Sequence, residues 1–293
     1  MNIPVYIRRR FGLVATVIAC AVSAPVLASE SVHLDKFPTE KMQSMPALQD
    51  GARTFVNYCL NCHSASMMRF NRLQDIGLTD EQISGSLQFT EGRVGDLMKV
   101  AMRHEDGKAW FGAAPPDLSV EARARASESG SGADWIYTYL RSYYRDGSRE
   151  NGWNNAIFPN VGMPNPLWQW QGMRGAVEER VAPVTDEATG KVTGWTKTTI
   201  TYDREGNKSE KVEKVDCDGL HEGTHFTLGT PEGGTLSQAE FDDKVANLVA
   251  FMKFMSDPSA STRGRLGIWV LLFIALFVGC TWWLNREYWK DVK

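Results

Sequence analysis

Hydrophobic and polar positions follow three patterns along this chain. The first has a helical period. Leu48, Ala52, Phe55 and Val56 recur on one side of residues 47–59, which predicts a helix that runs into Cys59. Further on, Ser237 and Glu240 form a capping box. Phe241, Val245, Leu248, Val249, Met252 and Met255 then share one apolar face, until Asp257-Pro258 stops the helix. Residues 134–145 (DWIYTYLRSYYR) predict another helix, capped by Asp134, and residues 80–104 predict helix alternating with turn, with Leu97, Val100 and Ala101 on one face. The second pattern is rough alternation. Residues 176–216 interleave β-branched and aromatic residues with polar ones around Asp203-Arg-Glu-Gly206, which predicts a surface β-hairpin. The third is an unbroken apolar run, Leu266–Leu284, with no charge in it. Between these, residues 29–46, with Pro38 and Pro46, are expected to be extended. Residues 113–119 (AAPPDLS) read as a Pro-rich turn before a helix start, and 151–172, rich in Asn, Pro and Trp, as irregular.

The two ends set the compartment. Arg8, Arg9 and Arg10 precede a short apolar stretch that closes on Val26-Leu27-Ala28, the pattern of a cleavable secretory signal peptide over residues 1–28. The C-terminal run spans roughly 28 Å as a helix, the hydrocarbon thickness of a bilayer. Trp269, Trp282, Trp283, Tyr288 and Trp289 lie near its ends, where aromatic belts form. The expected organisation is an exported domain over 29–262, a transmembrane anchor over 263–285 and a cytoplasmic tail over 286–293. The fold class is then mainly α, with long loops and an inserted β-hairpin, plus one C-terminal transmembrane helix that contacts lipid. A net charge of -3 with 23% charged residues gives no sign of nucleic-acid binding.

Against this background stands Cys59-Leu-Asn-Cys62-His63, a C-x-x-C-H. A structural zinc would need a second ligand pair, yet outside the signal segment the only other cysteines are Cys217 and Cys280, and Cys280 lies in the anchor. A thioredoxin-like redox pair would sit in a βαβ setting, whereas here a helix leads in. The immediate histidine is what covalent haem attachment requires: two thiols add to the haem vinyl groups and the histidine becomes the proximal iron ligand. This predicts one haem c, bound through Cys59 and Cys62 with His63 on the iron, in a c-type cytochrome domain. For the sixth ligand, Met163 stands on a stiff Gly/Pro loop, NVGMPNPL, far from His63 in sequence. His104 is the alternative and would give a low-potential bis-His haem.

Two other features compete for attention. His221-Glu222-Gly223-Thr224-His225 matches H-E-x-x-H, the zinc-hydrolase motif, but Gly219, Gly223 and the β-branched Thr224 and Thr227 oppose the helix it needs, so a loop is expected. Cys217 is either a free buried thiol or a partner in an intermolecular disulfide.

Cys59–His63, Ala114-Pro115-Pro116-Asp117-Leu118-Ser119, Gly162-Met163-Pro164, GTLSQAEFDDKVANLVAFMKFMSDP and the single tail anchor, in this order, resemble the cytochrome c1 family, the haem subunit of the ubiquinol–cytochrome c reductase (bc1) complex. The resemblance covers most of the chain beyond the signal segment. It implies Met163 as sixth ligand and Pro116 in the haem-binding turn. It also implies an arginine that neutralises a haem propionate, assigned to Arg125 with Arg123 as alternative. It further implies electron relay from a Rieske iron–sulfur protein to a cytochrome c, beside cytochrome b in a dimeric complex. With the signal peptide it implies the bacterial inner membrane, with the haem domain on the periplasmic side. The other readings are a free-standing anchored c-type carrier, a haem sensor with an open sixth site, and the zinc hydrolase. Glu178-Glu179 and Asp242-Asp243 are acidic pairs that would attract a basic cytochrome c or simply face solvent.

Overall fold

A computed structural model describes residues 33–89, 92–100, 102–185, 192–215 and 222–291. The helices are α1 (Met45–Thr54), α2 (Asp80–Ser86), α3 (His104–Phe111), α4 (Glu121–Ala124), α5 (Gly132–Leu140), α6 (Trp168–Gln171), α7 (Gln238–Ser256) and α8 (Ala260–Tyr288). The strands are β1 (Ala65–Arg69), β2 (Leu97–Met98), β3 (Tyr143–Arg145), β4 (Trp153–Asn155), β5 (Ala176–Thr185), β6 (Val192–Tyr202), β7 (Lys208–Val215) and β8 (Gly223–Leu228). The signal segment, Ala101, Cys217 and His221 lie outside the described residues, and with them the readings made of them.

The core is built where α1 crosses α7. A Cβ on Gly51 would lie 2.0 Å from the carbonyl oxygen of Asn247, so only glycine lets the two backbones come this close. Phe55 and Phe251, both fully buried, meet beside the crossing with ring centroids 5.5 Å apart. The α7 face is buried as its spacing predicts, from Phe241 to Met255, and Ser237 caps it reciprocally with Glu240. Arg141 ties α5 to α7. It forks onto Asp242 at 2.6 and 3.0 Å, reaches Asp35 at 2.7 Å, and lies 4.3 Å over the Tyr137 ring.

Several local expectations are corrected. α5 ends at Leu140, and Tyr143–Arg145 is a strand paired with Trp153–Asn155. The N-cap of α5 is Ser131, and Asp134 is the third helical residue of its capping box. Leu97 and Met98 form a strand against Ala65–Arg69 rather than a helix face. The stretch before α1 is only partly extended, since Thr39–Gln43 forms a 3₁₀ turn. The hairpin at 176–216 is part of a larger unit, a four-stranded antiparallel sheet ordered β7-β6-β5-β8. Its turn at Asp203–Gly206 is where alternation placed it, with Tyr202 opposite Lys208. The base of the sheet packs on Tyr144 through Ala176, Ile200 and Tyr202, with Phe226 and Leu228 alongside. The far end of the sheet stands in solvent.

From Glu222 on, the H-E-x-x-H segment is a bend and then strand β8, with His225 paired opposite Glu179. A strand rises about 3.3 Å per residue against about 1.5 Å in a helix, so residues four apart are spread about 13 Å along it, and the compact helical geometry of a zinc hydrolase is not made from Gly223 on. Among the described residues no group of three or more His, Cys, Asp or Glu is gathered to hold a metal.

Within α8, Thr262–Tyr288 is long and apolar enough to cross a membrane, and none of its most apolar stretch is buried by the rest of the protein. A core helix would be covered. Here Leu266, Trp269, Leu271, Phe273 and Leu276 are all exposed.

Candidate functional site

The helix that leads into the C-x-x-C-H changes pitch as it arrives. From Phe55 to Cys59 it widens into a π turn, with Leu60 N–H donating to the Phe55 carbonyl at 3.0 Å. The Cys59 carbonyl then accepts from both Cys62 N–H (3.0 Å) and His63 N–H (2.9 Å). This tight turn sets Cys59, Cys62 and His63 along one wall of a cleft of about 320 Å³. Cys59 and Cys62 are free thiols.

The strap at 113–119 closes over this turn and is fastened by one carboxylate. Asp117 accepts from Ser66 N–H (2.8 Å) and from Ser119 N–H (2.9 Å), and Ser119 Oγ accepts from Met67 N–H at 3.0 Å. Burial works against the charge on Asp117, but the hydrogen bonds from Ser119 and Ser66 outweigh it, and its pKa is held below the ordinary value. Leu118 N–H donates to the Ser64 carbonyl at 2.8 Å. The product of this fastening is a single contact: the Pro116 carbonyl sits 2.7 Å from His63 Nδ1. A carbonyl only accepts, so Nδ1 carries the proton and Nε2 keeps its lone pair. Burial lowers the His63 pKa against the opposing pull of Pro116, which favours the neutral ring that a metal needs. The Cys59 thiol is pushed up to about 12 by burial, with Cys62 adding to it. A thiol so poorly ionised is unsuited to disulfide exchange.

Another wall of the cleft is the loop carrying Met163, and asparagines hold it. Asn151 Nδ2 donates to the Gly162 carbonyl at 2.9 Å. Asn154 Oδ1 accepts from Asn160 N–H at 2.9 Å, and Asn160 stands at φ 62°. Asn155, fully buried, accepts from Ile157 and Phe158 N–H and donates to the Tyr139 carbonyl at 2.8 Å. Asn165 Oδ1 accepts from Leu167 N–H at 3.0 Å. Gly162 passes so near the chain that a Cβ would lie 2.6 Å from the Phe111 carbonyl. Pro164 and Pro166 were expected to stiffen this loop; the asparagine bonds hold it as well, and residues read as irregular are part of its scaffold.

Cys59, Cys62, His63, Pro116, Arg125 and Met163 all line the one cleft. Arg125 donates through Nε to Glu121 at 2.5 Å, and its guanidinium lies 4.5 Å over the Trp135 ring. Among the described residues its terminal nitrogens have no hydrogen-bond partner. Arg123 is exposed and His104 is exposed at the start of α3, and neither is among the described residues of the cleft wall. Glu121, Tyr58, Trp135 and Tyr139, which also line it, had no sequence signal of their own.

Comparison with known proteins agrees with this arrangement. The model of the Cytochrome C1 family matches residues 37–174. A curated protein from Allochromatium vinosum named "Cytochrome c1" is 33% identical over 96% of this chain and 98% of its own length. The chain belongs to the cytochrome c1 family. Another relative, "Ammonia monooxygenase gamma subunit" from Nitrosomonas europaea, is 39% identical over 92% of the chain and 94% of its own length. "Cytochrome b/c1" from Bradyrhizobium diazoefficiens is 22% identical over 84% of the chain and 33% of its own length. Family membership implies a covalently bound haem c, and the residues present fit one: two adjacent thiols, an imidazole with a fixed tautomer, a thioether, a cation and otherwise apolar walls from Leu118, Ile136, Leu140, Val161 and Met252.

Proposed function

We propose that this chain is the haem c subunit of a ubiquinol–cytochrome c reductase, carrying electrons from a Rieske iron–sulfur protein to a cytochrome c. The observation that carries this is the meeting of the C-x-x-C-H turn, Met163 and Arg125 in one cleft. When bound, haem supplies a one-electron iron couple, and a Met/His ligand pair gives it a raised potential. The protein's share is positioning. Cys59 and Cys62 would form the thioethers. His63 would offer Nε2 to the iron, aimed by the Pro116 carbonyl. Met163 would offer its sulfur from the Gly/Pro loop, and Arg125 its terminal nitrogens to a propionate. The apolar lining would keep water from the iron.

Nothing in this assignment asks the chain to bind quinol. It is an electron carrier within a reductase, and cytochrome b is the partner that the "Cytochrome b/c1" relative supports. The membrane assignment rests on α8 as a single anchor, and the signal-peptide pattern of residues 1–28 supports a periplasmic haem domain on a bacterial inner membrane. Residues 29–262 are then the haem domain, 263–285 the anchor and 286–293 the cytoplasmic tail. The complex is a dimer.

The name of the Nitrosomonas relative assigns that protein to a different enzyme. Purification of the full-length tagged chain from native membranes decides between them. Co-purification of b-type haem and a Rieske centre, with haem c reduced on adding ubiquinol, supports the reductase. Isolation alone would make it a free-standing carrier, and isolation with monooxygenase subunits would move it to that enzyme.

A further inference from the structure

Behind Met163 stand two phenols that the assignments above leave unused. Tyr139 is on α5 and Tyr143 on β3, and both are buried, Tyr143 completely. Tyr139 Oη lies 3.5 Å from Met163 Sδ. Tyr143 Oη lies 2.6 Å from Tyr139 Oη and 3.3 Å from the Met163 carbonyl oxygen. Each phenol has one proton to give. With Tyr143 donating across the 2.6 Å contact, the shortest of the three, the proton of Tyr139 is left for the sulfur. Tyr139 has little freedom to turn away: its ring stacks on Trp135 at 4.9 Å and meets Tyr143 edge-on at 5.3 Å. Its backbone carbonyl is also held, by Asn155.

We infer that Tyr139 is a positioning residue for Met163, donating a hydrogen bond to its sulfur, with Tyr143 as the donor behind it. The inference rests on the reading of Met163 as the axial ligand. A thioether has two lone pairs. With one directed at the iron, the second accepts from Tyr139, and its orientation selects which way the sulfur faces. Such a bond draws electron density from the sulfur, makes it a poorer donor to ferric iron, and raises the reduction potential. Donation from Tyr143 polarises the Tyr139 hydroxyl and strengthens the effect.

The test compares full-length, detergent-extracted wild type with Tyr139→Phe, Tyr143→Phe, the double variant and Met163→Leu. Redox titration and the near-infrared methionine–iron band are the readouts. Tyr139→Phe is expected to raise the oxidised-to-reduced ratio at fixed potential about three- to tenfold, a fall of about 28–59 mV for a one-electron couple. The methionine band should remain but move. Tyr143→Phe should shift the potential less, in the same direction, and the double variant should match Tyr139→Phe, because Tyr143 acts through Tyr139. A Tyr139→Phe potential equal to wild type, with only thermal stability reduced, overturns the inference while Met163→Leu still removes the band. Should Tyr139→Phe fail to load haem, a Tyr143→Phe potential at or above wild type overturns the relay. A band that survives Met163→Leu overturns the ligand reading and this inference together.

Discussion

The two walls of the cleft are made in different ways. On the His63 side, position comes from the main chain. A π turn delivers Cys59, two N–H groups fold onto its carbonyl, and a neighbouring strap offers the Pro116 carbonyl to the imidazole. On the Met163 side residues 156–167 form neither helix nor strand, and position comes from side chains at and before the loop: Asn151, and Asn154 and Asn155 of β4, each hold a backbone group of the loop or of the helix beside it. The first wall would bear a covalent attachment, which tolerates slack. The second would bear one thioether contact with no covalent link, so everything depends on the loop being held from outside. Asn154 and Asn155 are buried amides bonded through both Oδ1 and Nδ2, and such groups are sensitive to the loss of a partner.

This contrast predicts a graded set of effects. The largest is at the covalent wall. Replacing both Cys59 and Cys62 by Ala should abolish haem that survives denaturation, checked by haem staining of a denaturing gel, whereas Met163→Leu should leave that stain at full strength. Loss of the stain in Met163→Leu would erase the distinction between the walls. Next comes Asn155→Ala. It strips the Ile157 and Phe158 N–H groups of their acceptor and removes one of the donors to the Tyr139 carbonyl, which Ser142 N–H still serves, and should cost about 1–2 kcal/mol in urea unfolding. Carbon monoxide should also bind the reduced variant faster than wild type. Asn61→Ala, on the other wall and exposed, should stay within about 0.5 kcal/mol.

A smaller effect reaches the second wall through α5, the helix that carries Tyr139. Asp134 clamps the segment around Phe37 to this helix, accepting from Phe37 N–H at 2.8 Å and Ser131 N–H at 3.0 Å. Burial alone would raise its pKa, but the N–H groups of Phe37 and Ser131, the Ser131 hydroxyl and Lys36 more than offset this and hold it below the ordinary value. A depressed carboxylate stabilises fully above its unfolded pKa of about 3.9 and loses that contribution as pH falls through the folded value. Asp134→Asn should therefore cost about 1 kcal/mol from pH 5 to 8, and the gap to wild type should close below about pH 4, as read by unfolding across that range. A gap that widened on acidification would reverse the sign argued here. Least affected should be the solvent end of the sheet, where Val212→Thr, 60% exposed on β7, should leave both stability and spectrum within about 0.5 kcal/mol and experimental error of wild type.

The same contrast explains what could be read in advance. The Cys59–His63 turn, the capping box of α7 and the apolar anchor are local, so a few consecutive residues carry their signal. Met163 could be proposed from its loop, but what holds it could not. Tyr139 is twenty-four positions away and meets the sulfur only because α5 packs behind the loop. Asparagines in an aperiodic stretch look the same whether they face water or tie a loop. Tyr143–Arg145 continued an apolar pattern that fits helix and strand alike, and its pairing with Trp153–Asn155 decided in favour of the strand. Strand β8 was read as a loop because Gly219, Gly223, Thr224 and Thr227 argued against a helix, although the alternating apolar Phe226 and Leu228 pack beside Tyr144.

The most direct test of the central claim is a visible and near-infrared spectrum of the full-length, detergent-extracted protein, oxidised and then reduced, beside Met163→Leu. The account predicts a reduced c-type α band in both proteins, and a weak methionine–iron band in oxidised wild type that Met163→Leu lacks. Absence of covalent haem from the wild type, or a methionine band unchanged in the variant, would contradict it.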